Sequence, residues 1–325
     1  LLYNEPQALH SRPLEEEIFM RTRLTFVLIF AITFSFACNK PQPASFDAAA
    51  YKTEIEKWQT NRATNLQKED SWLTLVGLYW LKEGENKFGG NPANAVALPK
   101  DKAPDVAGSF WLDKGHVRLA ALPAAKVTAD DKPVTELDLK DDNDDNGPTI
   151  LKLGTLIINI VKRGDRMGVR VKDSQAAARL QFKGLEYFPS DPKWRIEARF
   201  EPYQPAKLVP ITNVLGMTDN ETSPGALAFE VDGKTYRIDP ILEKGETEYF
   251  IMIADETTDR ETYGAGRYLY VPPPDASGKV VIDFNKAYNP PCAFTAYATC
   301  PLPPRQNHLP LRIEAGEKKY AGTAH

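Results

Sequence analysis

By residue type alone, Cys292, His308 and Asp283 could serve as a nucleophile, a general base and an orienting carboxylate, with Asn285 as a second candidate orienter. That set is the logic of a cysteine-dependent hydrolase acting on a small molecule. Nearness of a cysteine and a histidine along the chain says little about their geometry, however. The same stretch is richer in groups that hold ligands than in groups that break bonds. Arg195, Arg199, Tyr263, Arg267, Asn285, Tyr288 and Asn289 could converge on a concave site for a small anionic or polar ligand. Basic residues recur on the expected strand faces at Arg170, Lys172, Arg195, Arg199, Arg267 and Lys286. Tyr263-Gly264-Ala265-Gly266-Arg267 invites a phosphate-loop reading, yet Leu269 stands where a dinucleotide fingerprint needs glycine. It reads as a tight turn feeding a strand, with Arg267 at the mouth of a pocket. Binding is therefore favoured over hydrolysis, a structural scaffold is a further alternative, and no cofactor is expected.

Cys292 and Cys300 leave their redox state open. An oxidising compartment favours a disulfide. As one extended strand, the intervening residues would hold the two Cα atoms about 26 Å apart, whereas a disulfide needs them within about 7 Å. A bridge thus requires a helical turn or sharp bend; two buried free thiols are the alternative. A structural zinc is not expected, because the spacing is wrong and His308 is the only nearby histidine. Asp142-Asn143-Asp144-Asp145-Asn146-Gly147 matches the first half of a calcium loop, but Leu153 occupies the position of the bidentate glutamate. A solvated acidic turn is the expectation.

These chemical residues sit within ETYGAGRYLY at 261–270 and DFNKAYNPPCAFTAYATCPLPPRQNHLP at 283–310. Together with SWLTLVGLYWLKEGENKFG at 71–89 and KWRIEARFEPY at 193–203, they closely resemble the bacterial "domain of unknown function 1684" family, from about Trp58 to Tyr320. The resemblance implies no activity. GGNPANAVALP at 89–99 is also similar to the opening of forkhead-associated sandwiches, which read phosphothreonine. Here Lys87 replaces the reading arginine, and Ser109 and His116 lack the Ser-x-x-His spacing, so the likeness implies sandwich architecture only.

The elements that must position these residues are mostly strands. Twenty-six prolines and twenty glycines separate short apolar runs, which favours many short strands over long helices. The expected fold is mainly β, with two sandwich-like or barrel-like subdomains, 71–175 and 176–325, the second holding the pocket, and one N-terminal helix. That helix starts at an Asp47 cap, repeats Tyr51, Ile55, Trp58 and Leu66, and runs to about Lys68. SWLTLVGLYWL could be a buried strand or a short buried helix. Hairpins are expected at Arg163-Gly164-Asp165-Arg166 and at Asp232-Gly233. Residues 194–200 should alternate, with Arg195, Glu197 and Arg199 on one face and Trp194, Ile196, Ala198 and Phe200 on the other.

The net charge of −4, with no basic stripe interleaved with aromatics, gives no nucleic-acid footprint. The expected partners are a membrane, through a lipid anchor, and a small molecule. Met20 reads as a start, followed by Arg21, Arg23 and the apolar run Leu24 to Ala37, so residues 1–37 read as upstream residues plus a signal peptide. Cleavage before Cys38 would free that cysteine for acylation, and residues 38–70 would supply a tether and the helix. Ser35 and Phe36 make a looser lipobox than usual. The expected location is the cell envelope, lipid-anchored, facing the periplasm or on the outer membrane, since Lys40 lacks an acidic neighbour.

Overall fold

The computed structural model describes residues 46–322. The expected start at Met20, the signal, acylated Cys38 and the tether at 39–43 lie outside the described residues. No helix among the described residues is long and apolar enough to cross a membrane.

The chain enters through the helix Ala48–Leu66, capped by Asp47, whose carboxylate accepts from the amides of Ala49 and Ala50. Such a cap contributes about 1 kcal/mol. The helix buries Tyr51, Ile55 and Leu66 and leaves Trp58 half-buried. Ser71 caps the short turn Trp72–Thr74, and the apolar run then continues as the strand Leu75–Trp80. Flanking residues thus decided what periodicity could not.

The protein is mainly β, with several sheets and one main helix. In the first sheet Leu75–Trp80, Arg166–Asp173, Leu156–Arg163, Leu151–Leu153, Thr128–Ala129 and Lys132–Pro133 lie side by side in that order. The second places Val96–Ala97, Gly84–Gly89, Gly108–Asp113, His116–Ala121 and Glu136–Leu139 in order. Their inner faces close one core, where Phe88, Phe110 and Leu119 from one sheet meet Leu156, Ile158, Val169 and Val171 from the other. The alternation of inward and outward residues along each strand is what permits two sheets to pack this way. The hairpin at 163–166 forms as expected, with Arg163 opposite Arg166.

Further along, Lys234–Ile238, Thr218–Val231, Arg195–Thr212 and Lys279–Asp283 make a four-stranded sheet, and Tyr249–Ile253 pairs with Arg267–Val271. The turn at Asp232-Gly233 closes the expected hairpin, Val231 facing Lys234. Between 194 and 200 the predicted alternation holds: Trp194 and Ala198 are buried, whereas Arg195, Glu197 and Arg199 are exposed. A second core gathers Trp194, Leu227, Phe229, Ile251, Leu269, Ile282 and Phe284. A third joins the first β region to the second, packing Leu75 with Val209, Ile211, Phe250, Tyr268, Cys292 and Cys300.

Candidate functional site

The residues with the most chemical side chains largely hold the fold together. Asp283 accepts from the Tyr51 hydroxyl at 2.8 Å and from the Asn285 amide at 3.1 Å. Asn285 in turn donates through Nδ2 to the Asp191 carbonyl, while the Asp191 amide donates back to Asn285 Oδ1. These bonds fasten the N-terminal helix and the start of the Arg195 strand to one short turn. Asn289 donates its amide to Glu317 Oε2 at 2.7 Å and its Nδ2 to the Lys318 carbonyl at 2.8 Å. Glu317 also receives Arg62 Nε at 2.9 Å, and its side chain is wholly buried. Burial pushes the Glu317 carboxyl up, against the opposing pull of the Arg62 guanidinium and the Asn289 amide. Arg62 further lies over the ring of Tyr288, 4.7 Å from its centroid.

Arg267 does not stand at a pocket mouth. Its side chain is 1% exposed. It donates to Asp255 Oδ1 and to the Ile313 carbonyl, both at 3.1 Å, and to the Ala315 carbonyl. Asp255 Oδ2 meanwhile accepts the Ile313 amide at 2.9 Å. Backbone carbonyls and one carboxylate therefore compensate a guanidinium removed from water, the condition under which a buried charge is tolerated. The turn before Arg267 depends on glycine: Gly266 has φ +84°, and a Cβ there would sit 2.4 Å from the Ile253 carbonyl oxygen.

The seven residues expected to bind a ligand do not converge. Arg195 and Arg199 are exposed, and Arg199 pairs with Glu201. Tyr263 donates to the Cys292 carbonyl at 3.0 Å, and Arg267, Asn285 and Asn289 are buried struts. Lys286 reaches Glu54 on the helix. The acidic turn spends its carboxylates on cations already in the chain: Asp142 on Arg163, Asp144 on Lys140, and Asp145 on Lys244.

Cys292 is bonded to Cys300, with Cα atoms 6.1 Å apart. The bend that the spacing demanded comes from a 3₁₀ turn at Pro291–Ala293, after which Phe294 is also in the αR region. A cysteine in a disulfide offers no thiolate, and His308 Nε2 is engaged with the Pro303 carbonyl at 3.1 Å. Asp283 commits its Oδ1 to Tyr51 and Asn285, and its Oδ2 is buried without a hydrogen-bond partner among the described residues. The triad Cys292–His308–Asp283 is thus corrected to one disulfide, one exposed histidine and one structural carboxylate.

His308 nevertheless lies in a cleft of about 720 Å³. One wall is 254–258 with Gly264 and Ala265, the other is 302–310, and Pro210 and Thr212 close the back. Main-chain bonds fix these walls. The Leu302 amide donates to the Thr212 carbonyl, and the Leu309 amide to the Ala254 carbonyl, each at 2.8 Å. Asn307, fully buried, clamps the base by donating to the carbonyls of Asp239 and Met252. Arg267 serves this cleft from behind by fixing Asp255 in its wall. Arg305 and Glu256 are exposed, and neither makes an ion pair among the described residues. They present charge over a floor of proline and leucine, while the Thr212 hydroxyl is shared with Thr218 and the Thr258 hydroxyl is bonded to Asp255. Sequence reasoning missed Arg305, Glu256, Thr212 and Thr258; the only signal was that polar runs follow the buried strand at 249–253 and the prolines at 303–304.

No curated protein matches the chain. Among solved structures, an uncharacterised protein of Haloarcula marismortui is similar, 30% identical over 43% of this chain and 79% of its own, with a TM-score of 0.37. A phosphothreonine-dependent FHA domain is 21% identical over 30% of this chain and 96% of its own, with a TM-score of 0.21. Both scores are too low for the superpositions to bear on the cleft. Residues 180–318, which contain both the cleft and the polar struts beneath it, match the family described as "Protein of unknown function (DUF1684)".

Proposed function

We propose that this is a cell-envelope binding protein, anchored through an acylated Cys38, whose C-terminal β region takes a small polar or anionic ligand in the cleft between 254–265 and 302–310. The observation that carries the binding reading is the pairing of a ligand-sized concavity with charged groups the protein itself leaves uncommitted. A volume near 720 Å³ falls within the range of small-molecule sites, which combine apolar lining with a few placed polar groups. Arg305 would meet an anionic group by charge-assisted hydrogen bonds, and Glu256 would accept from ligand hydroxyls. The disulfide at Cys292 removes the nucleophile of the hydrolase reading.

A thermal-shift and calorimetric panel of small carboxylates, phosphate esters and polyols tests the site. At least one member should bind saturably, and Arg305→Ala should weaken it about tenfold or more, equivalent to losing one charge-assisted contact. A panel that yields no binder, or one indifferent to Arg305→Ala and His308→Ala, rejects the cleft.

The anchor rests on the Arg21, Arg23, Leu24–Ala37 and Cys38 pattern. Detergent-phase partitioning of the wild type should exceed that of Cys38→Ala. Equal partitioning rejects acylation.

A further inference from the structure

The first sheet has a second face. Met167, Val169 and Val171 point with Leu156, Ile158 and Ile160 into the sandwich core. The alternate residues Asn159, Val161 and Arg163 on one strand, and Gly168, Arg170 and Lys172 on the next, therefore look the other way. That face is covered too: Val161 is 0% exposed, and Asn159 and Arg170 are each 8%. The segment ahead of Cys300 lies against it, where Arg163 Nε donates to Thr299 Oγ1 at 3.0 Å. Trp72 adds an aromatic wall, its ring 5.4 Å from the Arg170 guanidinium carbon and 5.7 Å from Lys172 Nζ.

A basic face has thus been buried with little to balance it. Asp142 is the carboxylate in reach, and it is already held by Arg163 at 2.9 Å. It stands 4.0 Å from Arg170 Nη1, too far to accept a hydrogen bond. Lys172 donates to the Asp70 carbonyl. The Arg170 guanidinium makes no hydrogen bond to any described residue, and its Nε is fully buried without a partner. Arg267, still more enclosed at 1% exposed, has three acceptors. The contrast matters because an unpaired buried guanidinium is a costly arrangement unless something else completes it. Burial, followed by the nearby Arg163 charge, lowers Arg170 to about 10.

We propose that Arg170, with Arg163 beside it and Trp72 as a wall, forms a second binding site, for a small oxyanion at the junction of the two β regions. Arg163, Arg170 and Lys172 stand against the carboxylates of Asp142 and Asp70, which leaves a single positive charge that suits a singly charged group. The planar fork of Arg170 fits the paired oxygens of a carboxylate or a phosphate. Trp72 keeps water from one side, so the hydrogen bonds form in a medium that strengthens them.

The test uses the full chain, with inorganic phosphate and acetate as separate probes at constant ionic strength set with chloride. One probe should bind saturably to the wild type by calorimetry. Arg170→Gln should lose about tenfold or more in affinity at this site and Arg163→Gln less, and the component lost in Arg170→Gln should persist in Arg305→Ala, which separates this site from any binding of the same probe in the cleft. Phosphate alone would assign a phosphate ester, and acetate alone a carboxylate. If Arg170→Gln does not fold, Arg163→Gln together with quenching of Trp72 emission by the probe, absent in Trp72→Phe, carries the decision. The proposal falls if neither anion binds the wild type beyond the chloride control, because water then satisfies Arg170. It falls equally if Arg170→Gln binds as the wild type does, or if, where that variant does not fold, Arg163→Gln leaves affinity unchanged.

Discussion

Arg267→Ala is expected to destabilise the protein by about 3–5 kcal/mol, the range for removing one member of a buried ion pair. Asp255 would be left with no exposed side-chain surface and no counter-charge, and the carbonyls of Ile313 and Ala315 would lose their donor. The urea midpoint should fall steeply, and any loss of ligand at the cleft should follow from unfolding. A double-mutant cycle with Asp255→Asn should show that the two losses do not add, since residues sharing one network couple by about 0.5–3 kcal/mol. A variant that keeps its midpoint would mean Arg267 is exposed and free for a ligand after all.

Arg62→Ala should act through Glu317 and depend on pH. At neutral pH the variant leaves a carboxylate with no exposed surface without its partner, a loss again of about 3–5 kcal/mol unless the group takes up a proton. The folded-state pKa of Glu317 is already raised by burial, and removing the Arg62 charge raises it further. A carboxyl whose folded pKa exceeds its unfolded value of about 4.3 binds its proton more tightly in the native state. Its ionised form therefore opposes folding above the folded pKa, and that opposition fades as pH falls through the folded pKa toward the unfolded one. The stability gap between wild type and Arg62→Ala should shrink from pH 8 to pH 5 in denaturant titrations. A constant gap would show that Glu317 keeps its charge satisfied by other means.

Local signals in the sequence carried much of the fold. Asp47 capped the helix it was expected to cap, Asp232-Gly233 closed its hairpin, and the alternation at 194–200 set which side chains face the core. These readings rest on neighbours within a few residues. The site was far less legible, because the fate of an arginine depends on what the distant chain brings to it. Arg267 and Arg305 look alike as residues, yet Asp255 and the 313–315 backbone enclose the first, whereas the second stands at the rim of the cleft. The cysteine spacing left the pairing open for a related reason. The helical turn that a bridge required starts at Pro291–Ala293 and continues through Phe294 between the cysteines, although the intervening residues carry no Gly, Pro, Asn or Asp to announce it. Arg170 was visible only as one of several bases on strand faces; its missing acceptor is a property of packing.

The density of Asn, Tyr, Pro and Gly between 261 and 310 now has a physical explanation. Asn285, Asn289 and Asn307 each use a side-chain amide to satisfy backbone groups in irregular buried segments, where regular ladders cannot. That lattice holds the walls of the cleft still, and a fixed wall is what a selective binding site requires.

The central claim, that ligand binding belongs to the cleft and not to the buried struts, meets its most direct test in native mass spectrometry of protein purified from its own host. A small molecule should travel with the wild type, be lost from the Arg305→Ala, His308→Ala double variant, and remain on Arg170→Gln. A wild-type protein that arrives with the mass of its bare chain, or a molecule retained equally by the double variant, would contradict it.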